Sequence, residues 1–125
     1  MFNSAKLTVV GAGPGDPELI TVKALNTLKL ANVILYDALI NRDLLEYAPQ
    51  ARHIFVGKRK DKHRFSQDEI NELIVKYAAE KGHVVRLKGG DPFIFGRGSE
   101  EIIYARKHGL ETAVVSGITS SIAVP

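Results

Sequence analysis

The chain contains no cysteine, which excludes a disulfide framework and any thiolate metal site. No apolar run approaches the roughly 20 residues that a membrane helix requires. The short apolar stretch Leu7–Val10 is stopped at once by Gly11 and Gly13, unlike the core of a secretory signal. A strong charge of one sign is also missing: 17 Lys and Arg stand against 14 Asp and Glu, a net charge of +3. That balance is too mild to argue for nucleic acid by itself. These absences point to a cytosolic globular protein. The 125 residues, 45% hydrophobic and 25% charged, suffice for one domain with a real core.

Short β-rich runs alternate with helical ones, so the expected fold is α/β: a single domain with a mainly parallel five-stranded sheet flanked by helices. The strand candidates are Lys6–Val10, Val33–Tyr36, His53–Val56, His83–Leu87 and Thr112–Val115. Most are apolar and β-branched, as strands covered on both faces require. The clearest helix is Gln67–Lys81, where Ile70, Leu73, Ile74, Tyr77 and Ala78 recur on one face. Ser66 and Glu69 form a capping box before it, and Gly82 stops it. A helix over about Pro17–Ala31 is predicted to open on an Asp16 cap and Pro17. Shorter helices are expected over about Arg42–Tyr47 and Ser99–His108. The segment Gly117–Ser121 reads as another strand-to-helix turn just before Pro125, so residues 1–125 are expected to be a fragment of a longer protein, cut at a domain boundary.

Three strands run into loops of small and turn-forming residues: Gly11–Pro17, Gly89–Pro92 and Ser116–Ser120. In parallel α/β sheets the ligand crevice lies outside the carboxyl ends of the strands. Glycines there let a ligand approach the backbone, although they also serve plain tight turns. The first loop departs from a dinucleotide fingerprint. Its third glycine would be at position 16, where Asp16 would repel a pyrophosphate, and Pro14 removes an amide donor. A positively charged nucleoside without phosphate suits it better. Asp37, at the end of the second strand, brings a carboxylate to the same edge, or else caps the short helix beyond it.

The run Gly57–Arg64 holds five Lys or Arg, one His and one Asp in eight positions. It is either a solvated loop or a lure for a polyanionic small molecule. No aromatic platform interleaves with these charges, which disfavours nucleic acid. Arg97 and Glu100 open a helix as an exposed ion pair or as substrate-facing groups. His53, His63, His83 and His108 lack metal-ligand spacing, so no metal is expected.

Together the stretches VVGAGPGDPELIT (Val9–Thr21), LYDALI (Leu35–Ile40), VGKR (Val56–Arg59), VVRLKGGDPFIFGRGSEE (Val84–Glu101) and VVSGITSSIA (Val114–Ala123) resemble the tetrapyrrole methylase family, and more narrowly its uroporphyrinogen-III C-methyltransferase branch. The likeness covers essentially the whole chain. A family-typical proline is replaced by Ser116. The resemblance implies two α/β domains with S-adenosylmethionine in the cleft between them, this chain being the first. It implies that Pro14, Gly89, Gly90, Asp91, Ile94, Thr119 and Ser120 contact S-adenosylmethionine, that Asp37 is the proton acceptor, and that Lys58 is the proton donor. It also implies a homodimer, in some relatives fused to other sirohaem-synthesis modules.

The implied activity is methylation of uroporphyrinogen-III, a polycarboxylate, to precorrin-2 in sirohaem and cobalamin biosynthesis. The partner is a small-molecule tetrapyrrole, with neither nucleic acid nor membrane. A sulfonium cofactor without phosphate agrees with acids in the loops, and the basic run has a use in drawing the substrate. The alternatives are a methylase of a later precorrin intermediate, against which VGKR and GGDPFIFGRG count, and a non-catalytic nucleotide-binding module, against which Asp16 counts. Alone, residues 1–125 are expected to be inactive and to bind cofactor weakly.

Overall fold

A computed structural model of the chain describes residues 5–12, 20–38, 40–57, 65–89 and 97–115, the first three of the last range by backbone alone. Five strands alternate with helices: β1 (Lys6–Gly11), α1 (Val22–Leu30), β2 (Val33–Tyr36), a 3-10 segment (Arg42–Tyr47), β3 (Arg52–Phe55), α2 (Gln67–Lys81), β4 (His83–Lys88), α3 (Arg97–Lys107) and β5 (Glu111–Val115). The sheet has the order β3-β2-β4-β1-β5, and every pairing is parallel.

The continuous apolar runs explain how the sheet is sandwiched. Side chains alternate between faces along a strand, so Val33 and Leu35 enter one core while Ile34 and Tyr36 enter the other. The first core lies under α1 and the 3-10 segment and gathers Val10, Ala24, Leu28, Leu44, Val85 and Leu87. The second lies under α2 and α3 and gathers Leu7, Val9, Ile70, Ile74, Val84 and Ala105. The outer strands β3 and β5 are more exposed, as befits edges.

The caps fix the helix ends. Ser66 accepts from the Glu69 amide while Glu69 accepts from the Ser66 amide, and Gly82 ends α2 with a φ of +109° that favours glycine. The first helix is shorter than expected. It begins at Val22, after Thr21, whose hydroxyl accepts from the Ala24 amide. Asp16 and Pro17 lie outside the described residues. Thr21 is itself a good cap, and its extended backbone sets the boundary.

Below the sheet, at the amino ends of the strands, the Thr8 hydroxyl and His83 Nε2 are 2.8 Å apart. Desolvation holds the His83 imidazole below its ordinary value of 6.5; the Leu30 backbone and Glu111 oppose this, and Lys6 reinforces it. The folded chain therefore takes up this proton less readily than the unfolded one. The stabilisation is complete above about pH 6.5 and is lost as pH falls through the lowered value. Thermal melts from about pH 7.5 to about 5 should show a falling midpoint whose slope is reduced in His83→Asn; equal slopes would refute the assignment.

Candidate functional site

All five strands being parallel, their carboxyl ends share one edge, and the crossovers decide where that edge opens. From β1 to β2 and from β2 to β3 the chain moves one way along the sheet, over the α1 face. From β3 to β4 and from β4 to β5 it moves the other way, over the α2–α3 face. This is the right-handed solution for both directions. In the order β3-β2-β4-β1 each adjacent pair thus sends its chains to opposite faces, and the β2–β4 gap at the centre of the sheet is one such topological switch point, the kind of place where these sheets bind ligands.

Asp37 and Lys88 flank that point. The β2–β4 ladder ends on the pair Tyr36 with Leu87, and Asp37 and Lys88 each stand one residue further. Two backbone bonds lace the exits together: the Ala12 amide donates to the Lys88 carbonyl at 2.7 Å, and the Val56 amide donates to the Tyr36 carbonyl at 2.8 Å. Beyond β3 the chain turns at Gly57, where a Cβ would meet the Ala38 nitrogen at 2.9 Å. Gly57 therefore packs closely against Ala38, the residue directly after Asp37. The helix-capping role left open for Asp37 belongs to Asn41, whose side chain accepts from the Asp43 amide at 2.8 Å.

Under the β4 exit lies a charge cluster that the sequence did not reveal. Glu101 of α3 is fully buried. Its Oε2 accepts from Arg86 Nε and from Gln67 Nε2, each at 3.1 Å. Its Oε1 accepts no hydrogen bond from the described residues and faces the Lys88 ammonium at 3.6 Å. Arg86 Nη1 reaches the Leu35 and Leu87 carbonyls at 3.5 and 3.4 Å, spanning the gap between β2 and β4. Burial holds the Lys88 ammonium below the usual lysine range; the charge of Glu101 opposes this, Arg86 adds to it, and Asp37 opposes it. The only hints in the sequence were two cations in an apolar strand and a paired Glu in α3.

Of the residues singled out from the sequence, Asp37 and Gly89 are described and share this edge. Pro14, Lys58, Gly90, Asp91, Ile94, Thr119 and Ser120, with the basic run that begins at Lys58, lie outside the described residues. Glu100 is exposed on α3. His53 and His108 bond to the Ala48 and Tyr104 carbonyls within their own segments. Among the described residues no group of three or more His, Cys, Asp or Glu is placed to hold a metal ion.

The profile of the tetrapyrrole (corrin/porphyrin) methylases matches residues 6–125. The chain belongs to this family. It is 58% identical over 123 residues to a uroporphyrinogen-III C-methyltransferase of Methanocaldococcus jannaschii, covering 98% of this chain and 51% of that protein. Its fold matches the crystal structure of a Thermus thermophilus uroporphyrin-III C-methyltransferase complexed with S-adenosyl homocysteine, with a TM-score of 0.76, 46% identity, and coverage of 94% of this chain and 47% of that one. It also matches a cobalt precorrin-4 methyltransferase, with a TM-score of 0.79, 34% identity, and coverage of 96% and 48%. The chain spans about half the length of these relatives.

In this methylase domain the space around Gly57, beside the strand exits, leaves no room for a side chain. A Cβ there would lie 2.8 Å from the Phe55 ring as well as against Ala38; the ring can turn, but the backbone cannot yield as easily. Gly57→Ala should lower stability by about 1–3 kcal/mol, read as a lower urea midpoint at unchanged slope. An unchanged midpoint would show that the two turns are not packed so closely.

Proposed function

We propose that the chain is the N-terminal half of a two-domain, S-adenosylmethionine-dependent methyltransferase that converts uroporphyrinogen-III to precorrin-2 by two successive C-methylations. The observation that carries this reading is the 58% identity to a uroporphyrinogen-III C-methyltransferase across 98% of the chain. The identity to the cobalt precorrin-4 enzyme is 34%. The same reading takes in a cytoplasmic homodimer acting on a free tetrapyrrole. No helix among the described residues is long and apolar enough to cross a membrane.

The described edge suits the cofactor's chemistry. Gly11 and Ala12 end β1, and Gly89 comes directly after β4, so bare or nearly bare backbone lines the exits. The anion at the switch point is the Asp37 carboxylate, which complements a sulfonium. S-adenosylmethionine, when bound, supplies an already activated methyl group. The chain's own tasks are then to align the substrate, exclude water and manage one proton. Methyl transfer from a sulfonium to a ring carbon leaves the macrocycle with a positive charge, which it sheds by releasing a proton from elsewhere in the ring system, and Asp37 is the group assigned to accept it. The backbone at Gly89, Gly90 and Asp91, together with Pro14, Ile94, Thr119 and Ser120, is assigned to the cofactor. Lys58 is assigned as the donor, at the start of a basic run suited to a polycarboxylate.

In the two-domain protein, Asp37→Asn should lower kcat by about 10²-fold or more, while S-adenosylhomocysteine binds within about threefold of its usual affinity by calorimetry. Full activity of this variant would remove Asp37 from the mechanism. Product mass spectrometry should find a doubly methylated uroporphyrinogen; methylation of a later precorrin alone would overturn the substrate.

A further inference from the structure

Arg86, Lys88 and Glu101 carry two positive charges and one negative charge at the exit of β4. Arg86 and Gln67 together satisfy Glu101 Oε2. One cation is enough to neutralise this carboxylate, and a second one close to the interior carries a desolvation cost unless another anion balances it. Lys88 is such a second cation: its side chain is only 13% exposed, and it is held at 3.6 Å from Glu101 Oε1. Besides Glu101, the described anion whose charge favours the Lys88 ammonium is Asp37, one residue past the Tyr36–Leu87 pair on the adjacent strand. Side-chain alternation reinforces this. Leu35 and Val84 belong to the core on the α2–α3 side, so Asp37, two residues beyond Leu35, and Lys88, four beyond Val84, continue toward the face on which Glu101 lies.

We propose that Lys88 is a positioning residue of the methyltransferase site: Glu101, buried behind it, fixes its ammonium at the β4 exit, and from there it orients the Asp37 carboxylate across the gap between β2 and β4. The inference rests on the reading of Asp37 as the proton acceptor. Lys88 itself exchanges no proton in this scheme. It acts through Asp37, and Glu101 acts through Lys88. Among the described residues, the charged groups acting on Lys88 are Arg86 of the same strand, Glu101 of α3 and Asp37 of the β2 exit, with neutral Gln67 of α2 on the Glu101 carboxylate.

The test is a double-mutant cycle in the two-domain protein, using Lys88→Met, Asp37→Glu and the double variant. Lys88→Met should lower kcat by roughly 10- to 100-fold with KM and S-adenosylhomocysteine affinity within about threefold, and Lys88→Arg should recover most of the loss. In the Asp37→Glu background, Lys88→Met should cost less than about twofold more, because residues acting as a unit are not additive. Losses that multiply independently would overturn the inference. So would a wild-type rate in Lys88→Met, or a loss confined to KM, which would make Lys88 an anchor for substrate carboxylates. If Lys88→Met does not fold by thermal melt, Lys88→Gln takes its place in the same cycle with the same criteria. Full activity of Asp37→Asn would instead overturn the acceptor reading itself.

Discussion

A parallel sheet obliges the chain to return to its starting edge after every strand, and everything functional in this domain depends on how those returns are arranged. Right-handed crossovers send α1 and the 3-10 segment over one face and α2 and α3 over the other. Because β4 is inserted between β2 and β1, it releases its chain to the face opposite that taken by both of these neighbours. The edge opens there without any special residue being needed to open it. Asp37, Lys88 and Gly89 come to the opening because each either ends β2 or β4 or is the next residue along the chain.

The middle of the sheet carries an electrostatic burden that its apolar neighbours do not relieve. Arg86 is 5% exposed and Glu101 is buried completely. Such a pair gives no sure gain over hydrophobic residues of similar volume, but losing one member leaves a charge stranded. Its value here is geometric. Glu101 ties α3 to β4, Gln67 ties α2 to the same carboxylate, and Arg86 reaches toward the Leu35 carbonyl of β2. The segments before and after the second glycine loop are thereby fixed to one another and to the strand that carries Asp37.

Much of this was legible in the residues. The strand Val33–Tyr36 and the helix Gln67–Lys81 have the boundaries their patterns gave, because an unbroken apolar run and a complete capping box are local signals. The first helix was misjudged because Asp16-Pro17 and Thr21 are competing starts, and the one in force depends on packing. The sheet proved parallel throughout, so Asp37 and Gly89 follow the ends of two adjacent strands at one edge. The cluster around Glu101 was not legible. In sequence Arg86 and Lys88 look like polar interruptions in a strand, and Glu101 looks like one of two acids in an exposed first turn. Only the third dimension pairs them, and helical phase decides that Glu101 rather than Glu100 turns inward.

The strand order also bears on how the molecule is made. When β1, β2 and β3 have left the ribosome, β1 and β2 still lack the neighbour that belongs between them, since Lys6 pairs with His83 and Val33 with Val84. The two ladders that β4 makes with them therefore cannot form until the fourth strand is synthesised. Such distant pairing slows folding, because the entropy of closing the long loop comes due before the contacts that reward it. On the ribosome the central ladders of the sheet can close only once residues 83–88 have been made, which places completion of the ligand edge late in synthesis.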